Sequence, residues 1–380
     1  MTRNAVYSCQ YRHSTLRRLH NSALDSRFKI LFMGRDEFSC TVLDQLHAAT
    51  DVWEEISIAT HPDERVGRRG SQLSVSPLKI LGESLNIPVH TIPHTKPEFR
   101  TWHPPYPYFP PTLPPPRNHL LVTASFGRIL PKTMLDLFLP NRRLNVHPSL
   151  LPAYRGPAPI QHTILNDEKE TGVCVIEMLK KSEGIDTGAI WGCSRMPVPK
   201  DVTFEVLRDS LATEGGRLLV SVLRDMRTKK AQQGEQPSNE TLNRAPMISI
   251  ADSIVNFENA SAEEIVRRHR AISHQRPLLT HLPSYKNKTL QLHEPEVYHP
   301  PSGSPYPHLS THPGAALFNK STRSLLIRCA QDSVLSVPVV KQEGKALVSA
   351  GDWWNGAKGL QIVHAGVVQL GSTPEGLSYP

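Results

Sequence analysis

Apolar residues come in runs of three to five, separated by stretches in which apolar positions recur every three or four residues. The runs are Ile30–Met33, "ISIAT" at 56–60, "LLVTA" at 120–124 and "LNV" at 144–146. Short runs without alternation predict strands buried on both faces of a parallel sheet. After Gly34, the positions of Phe38, Val42, Leu43 and Leu46 predict a helix. "SPLKILGESLNI" (76–87) and "PKTMLDLFL" (131–139) predict two more. Strand, glycine turn and helix in alternation predict an α/β domain with a Rossmann-like, doubly wound parallel sheet. The first turn lacks the GxGxxG fingerprint, which argues against a dinucleotide site. Residues 203–226 predict a long amphipathic helix, with Leu207, Leu211, Leu218, Leu219 and Val222 on its apolar face.

Two stretches break the pattern. Residues 103–119 hold eight prolines, which excludes helix or central strand and predicts a surface insertion. Residues 227–246 are polar and predict a linker. Beyond it, Ser261 and Glu264 form a capping-box pattern at the head of a helix. The runs "KTLQLHE", "GAALFN", "SLLIRCA" and "VLSVPVVK" then predict short strands of a small β-barrel. The expected order is an address segment at 1–28, an α/β domain at 29–226, a linker at 227–246 and a β domain at 247–370.

Charge changes this picture at one end. The chain of 380 residues has a net charge of +8, which by itself points to an anionic partner. Residues 1–28, however, hold five arginines (Arg3, Arg12, Arg17, Arg18, Arg27) against one acid, Asp25, so +4 of the +8 lies there. Arg-rich, acid-poor and lacking an apolar core, the segment predicts a mitochondrial transit peptide and delivery to the matrix. The rest is only mildly basic. Five cysteines (Cys9, Cys40, Cys174, Cys193, Cys329) show no CxxC spacing and predict reduced thiols rather than a metal site. No stretch approaches the roughly 18 apolar residues of a membrane span, and no pattern calls for more than a monomer.

Candidate chemistry lies where "LNV" stops. Asn145 and His147 are two residues apart, so in a strand they share a face. Pro148 ends the strand, placing both at its C-terminal end, where open α/β sheets bind ligands. Asn145 offers an N–H to a developing oxyanion and His147 a proton near neutral pH. A capping Asn and a satisfied structural His would look the same. Downstream, Asp186 lies between Gly184 and Gly188 in a loop able to approach a neighbouring strand end. A carboxylate beside an imidazole favours its protonated form and orients it.

"NVHPSLLPAYRGPAPIQ" (145–161) followed by "ETGVCVIEM" and "GIDTGAIW" resembles the folate-dependent formyltransferases. The resemblance runs over roughly residues 29–360 and is greatest to members that act on methionyl-tRNA. It implies 10-formyltetrahydrofolate as donor, methionyl-tRNA as acceptor, no metal, and Asn145, His147 and Asp186 as the catalytic trio. It implies a folate site at Ser125, Phe126, Gly127, Ile129, Leu130 and Pro131, in "ASFGRILP", and at Ser149, Leu150, Leu151 and Pro152. The "THPDERVGRRG" loop resembles the family's basic loop, implying tRNA contacts from Arg65, Arg68 and Arg69. Further candidates for phosphate contact are Arg267, Arg268 and Arg270, and Lys341, Lys345 and Lys358. The C-terminal β domain is then expected to be OB-like and to bind tRNA. Alternatives are a non-catalytic RNA-binding relative, or another folate-dependent formyltransferase or hydrolase on the same scaffold.

Overall fold

In the computed structural model the described residues are 26–67, 70–237, 243–300 and 309–371. The expected transit peptide lies outside them as far as residue 25. Two compact units divide the chain. The first holds Lys169–Val198, Glu205–Pro246 and the described residues up to Ile160; the second holds Gln161–Glu168, Pro199–Phe204 and the described residues from Met247 on.

The first unit has strands β1 (Phe28–Gly34), β2 (Trp53–Thr60), β3 (Glu64–Val66), β4 (Gln72–Ser74), β5 (Val89–Thr91), β6 (His119–Ala124), β7 (Arg143–His147), β8 (Glu170–Glu177) and β9 (Ile190–Pro197). Seven of them form one sheet in the order β5-β2-β1-β6-β7-β8-β9, and β3 and β4 pair as a separate hairpin. From β5 to β7 the pairing is parallel. The doubly wound parallel sheet read from the sequence is therefore present, with β8 and β9 added antiparallel along one edge. Helices of the chain are α1 (Glu37–Ala48), α2 (Pro77–Ser84), α3 (Lys96–Thr101), α4 (Lys132–Leu135), α5 (Pro159–Leu165), α6 (Phe204–Arg227), α7 (Ala262–Ile272) and α8 (Ala350–Gly359).

The core follows from the apolar runs. Ile30, Leu31, Phe32 and Met33 are fully buried, as are Leu120, Leu121 and Val122 beside them. Removing each such side chain from water stabilises the fold by roughly 1.5–3 kcal/mol. Phe38, Val42, Leu43 and Leu46 give α1 its buried face, and Asp36 caps its start by accepting from Ser39 N. Two expected helices are shorter than their patterns. α2 ends because Asn86 takes a left-handed φ of 57°, a helix stop. Beyond α4, three-residue turns at Leu137 and Phe138 swing the Phe138 ring into the core. The proline-rich stretch also reaches inward: Tyr108 is buried, with ring centroids 5.3 Å from His119 and 5.5 Å from Phe138.

The second unit is antiparallel β. Its strands are β10 (Leu278–Leu282), β11 (Lys288–His293), β12 (Glu296–Val297), β13 (Ala315–Asn319), β14 (Ser324–Arg328), β15 (Val334–Val337), β16 (Val339–Gln342), β17 (Leu347–Ser349) and β18 (Val368–Gln369). They form sheets ordered β10-β11-β16-β17 and β12-β15-β14-β13-β18. The capping box at the head of α7 is formed on both sides by Ser261 and Glu264.

Candidate active site

β7 is hydrogen-bonded to β6 on one side and β8 on the other, so its register is fixed. Asn145 and His147 therefore project to one face at its C-terminal end. Asn145 is half-buried and His147 is 4% exposed. Thr123, directly opposite Asn145 on β6, donates its hydroxyl to Asn145 Oδ1 at 2.7 Å. That engages the amide oxygen and turns Nδ2, the donor end, away from Thr123.

The imidazole of His147 is held at one nitrogen and faces a carboxylate with the other. Nε2 lies 3.0 Å from the carbonyl oxygen of Tyr154, to which its hydrogen is donated. Nδ1 faces Asp186, 3.9 Å from Oδ2. That is too long for a hydrogen bond, so the carboxylate acts on the ring through its charge. Asp186 Oδ2 in turn accepts from Gly156 N at 3.0 Å. Gly156 has φ +124°, and a Cβ there would stand 2.5 Å from the carbonyl oxygen of Ala245. Only glycine lets the chain after Tyr154 run this close to Ala245.

Asp186 arrives by a longer route than the sequence indicates. β8 ends at Glu177, opposite Leu144 near the start of β7. The connection to β9 must fold back to bring Asp186 to His147. Two side-chain hydrogen bonds fasten it there: Gln236 Nε2 donates to the carbonyls of Asp186 and Gly188, 2.8 Å each. Gln236 Oε1 accepts from Arg155 Nε at 3.0 Å and Nη2 at 2.6 Å. One carboxamide thus ties the Asp186 loop to the Tyr154–Gly156 turn. Gln236 belongs to the stretch read as a linker, and neither it nor Thr123 was singled out from the sequence. Thr123 had a signal, a lone hydroxyl closing an apolar strand just before "ASFG"; Gln236 had none nearby.

The residues expected at folate divide by exposure. After β6, Ser125, Gly127 and Ile129 are exposed, Ile129 by 53%, while Phe126 and Leu130 are buried and Pro131 is half-buried. Phe126 is an anchor: its carbonyl accepts from His61 Nε2 at 2.7 Å, and burial pushes the pKa of that His61 ring below its ordinary value. Ser125 donates its hydroxyl to Asp36, whose carboxyl is pushed up by burial. After β7, Ser149 is fully buried and donates to the carbonyl of Ala153 at 2.8 Å. Leu151 packs on Cys174, Ile176 and Ile190, while Leu150 and Pro152 are half-buried. An exposed apolar Ile129 beside polar Ser125 and an open Gly127 suits a flat, partly apolar ring system. Phe126, Leu130, Ser149 and Leu151 shape the loops beneath.

Among the basic candidates, Arg65 is exposed on β3 with Val66 and Leu73 exposed beside it, while Arg68 and Arg69 lie outside the described residues. The arginines of α7 are engaged within the second unit. Arg267 donates to Leu165 O, Arg268 to Ile254 O, and Arg270 pairs with Asp201. Lys341, Lys345 and Lys358 are exposed. No group of three or more His, Cys, Asp or Glu side chains suited to a metal ion occurs among the described residues.

Residues 28–223 match the family model "Formyl transferase", and residues 247–358 match "Formyl transferase, C-terminal domain". The chain is 36% identical over 249 residues to the methionyl-tRNA formyltransferase of Syntrophus aciditrophicus, covering 65% of this chain and 74% of that one. It is 31% identical over 334 residues to the mitochondrial methionyl-tRNA formyltransferase of Bos taurus, covering 87% and 77%. Among solved structures, the fold resembles the sugar 3N-formyl transferase WlaRD, with a TM-score of 0.54 at 16% identity over 84% of this chain and 100% of that one. It also resembles HypX from Aquifex aeolicus in complex with tetrahydrofolic acid, with a TM-score of 0.55 at 15% identity over 88% of this chain and 48% of that one.

Proposed function

The chain belongs to the formyl transferase family, alongside the methionyl-tRNA formyltransferases, and we propose that it passes the formyl group of 10-formyltetrahydrofolate to the α-amine of methionyl-tRNA for translation initiation in mitochondria. It is an enzyme of one-carbon transfer. The observation that carries the catalytic reading is the convergence on one imidazole. Asn145 stands two residues before His147 on the same strand face, and the Asp186 carboxylate is 3.9 Å from His147 Nδ1.

The folate supplies an activated formyl carbon, and the residues supply charge and proton handling. As the amine nitrogen adds to that carbon, negative charge collects on the formyl oxygen. Asn145 Nδ2, its partner oxygen already engaged by Thr123, donates to that oxygen. His147 stands beside it with Nε2 donating to Tyr154 O, which leaves Nδ1, facing the Asp186 charge, as the nitrogen to take and return a proton. The amine loses one proton and the departing folate nitrogen gains one, so the exchange needs no net acid or base. Ser125, Gly127 and Ile129 are the residues that would touch the folate ring, with Phe126, Leu130, Pro131 and Ser149–Pro152 forming the loops that carry it.

For the tRNA, phosphate contacts fall to Arg65 on β3 and to Arg68 and Arg69, which follow it in the sequence, and separately to Lys341, Lys345 and Lys358 on the second unit. Delivery to the matrix is supported by the arginines of the first 28 residues and by relatives named as mitochondrial. The test is formyl transfer to methionyl-tRNA by the purified protein. His147→Ala should lower turnover by about 10³-fold, in the range for loss of a proton-transfer group. Unchanged turnover in a folded variant would remove His147 from the reaction.

A further inference from the structure

Outside the reacting groups, one side-chain cluster is left without an assignment. Cys174 on β8 stands directly opposite Cys193 on β9 and, on its other side, directly opposite His147 on β7. Residues opposite one another across antiparallel strands share a face, so His147, Cys174 and Cys193 form one row. The two Sγ atoms are 3.1 Å apart. Opposite residues in such a pair have Cα atoms about 4.5–5.5 Å apart, inside the span that a disulfide bridges. Leu151, from the loop after β7, packs against the same pair.

The other described thiols offer a contrast. Burial pushes Cys40 and Cys329 up to about 12, leaving almost no thiolate near neutral pH. Cys193 is only half-buried. The hydrogen bond from Cys174, opposed by burial and helped by Arg195, holds its thiol below the ordinary value. Cys193 is therefore the sulfur placed to react first, with Cys174 within reach to resolve it.

We propose that Cys174 and Cys193 are an oxidation site, converted by a hydroperoxide to a cross-strand disulfide that slows transfer at the neighbouring His147. Cys193 sulfur attacks the peroxide oxygen; an S–O bond forms, the O–O bond breaks, and the peroxide leaves as an alcohol, or as water from hydrogen peroxide. Cys174 sulfur then attacks the oxidised sulfur. An S–S bond forms, the S–O bond breaks, and the hydroxyl leaves as water with the Cys174 proton. Two thiols have lost two hydrogens and one peroxide has been reduced. Closing the sulfurs from 3.1 Å to a bond of about 2 Å turns both cysteine side chains in the row beside His147 and shifts the seat of Leu151. Misplacement of a reacting group by about 1 Å costs up to 10²-fold, so a fall in turnover of at least tenfold is expected. The slowing rests on the functional reading above; the oxidation does not.

The full-length protein is reduced, exposed to graded hydrogen peroxide, quenched by alkylation and mapped by mass. The expected result is a cross-linked peptide joining Cys174 to Cys193 and lost on thiol reduction, while Cys40 and Cys329 remain alkylated. Turnover measured on the same samples should fall with the cross-link and return with reductant. Cys193→Ser, with Cys193→Ala as a second variant, should retain basal transfer and resist peroxide. Absence of the cross-link, a cross-link without reversible loss of turnover, or equal peroxide sensitivity in the variants would overturn the proposal. The mass readout is independent of activity. A protein that forms the cross-link yet never transfers a formyl group counts against the functional reading rather than against the oxidation.

Discussion

Strand β7 and the loop from Gly184 to Gly188 position the side chains of the candidate site by different means. Asn145 rides on a strand paired on both sides, so its direction is set by sheet geometry and one hydrogen bond from Thr123. Asp186 rides on a connection that starts near the other end of β7, with its own backbone at a left-handed φ of 56°. It is held by Gly156 N and by the carboxamide of Gln236. The strand residue is positioned by secondary structure, the loop residue by a set of individual fastenings. A strand should therefore tolerate the loss of one support, whereas the loop should lose function with each.

The largest effect should come from the charge itself. Asp186→Asn retains an oxygen to accept from Gly156 N and removes only the carboxylate charge. On the proposed role of Asp186, turnover should fall about 10²-fold with folate KM little changed, the result expected when a charge serves the reaction rather than binding. Equal losses in kcat and folate affinity would show that Asp186 serves binding instead.

Next in size is the fastening. Gln236→Ala removes both donations to the loop and the acceptor for Arg155, each worth about 1 kcal/mol. Turnover should fall roughly tenfold, with the melting temperature lowered by several degrees. Gln236→Glu separates the halves: it retains an acceptor for Arg155 but offers no donor to the carbonyls of Asp186 and Gly188. If the glutamate variant matches wild type, the loop does not depend on those donations.

On the strand side, Thr123→Val should cost less, about fivefold in turnover, because the sheet still aims Asn145 when its oxygen loses a partner. A loss as large as that from Gln236→Ala would erase the contrast between strand and loop.

The smallest effect concerns His61, which anchors the exposed loop after β6 through Phe126 O. Its folded pKa is lowered, chiefly by burial, from an ordinary value of 6.5. As pH falls, the unfolded chain therefore takes up this proton before the folded one does. The stability from a neutral His61 is fully present above the unfolded pKa and is lost as pH falls from there through the folded pKa. His61→Gln retains a donor to Phe126 O and cannot titrate. Melting temperature should drop less between pH 7 and pH 5 in the variant, with the remaining drop owed to His90, His119, His281 and His293, whose rings burial also lowers. Identical pH profiles would remove His61 from the account.

The same contrast explains what could be read before the structure. Asn145 and His147 were legible because a period of two and a following proline fix a face and an end. The parallel strands were legible because residues such as Ile30–Met33 are apolar throughout. Asp186 was legible as a loop residue between glycines, but not the distance its loop must travel, because register is set by pairing between remote strands. Gln236 was illegible: its partners at Asp186 and Gly188 lie 50 and 48 residues away, and its neighbours are polar and featureless. Tyr108 was hidden in the same manner, an aromatic ring among prolines whose place depends on Phe138. The antiparallel edge was missed because β8 alone, "ETGVCVIE", looks like any buried strand.

Gln236 also sets a clock. The last strand of the sheet ends at Pro197, so 39 further residues must be added before Gln236 exists. At roughly 10 residues per second that is about four seconds of elongation. During this interval the sheet can close and α6 can dock, yet the Asp186 loop has only the donation from Gly156 N and lacks both of those from Gln236. The last fastening of that loop therefore trails the folding of the sheet in the growing chain. A fragment ending at residue 223, where the family model stops, would be caught permanently in that earlier moment.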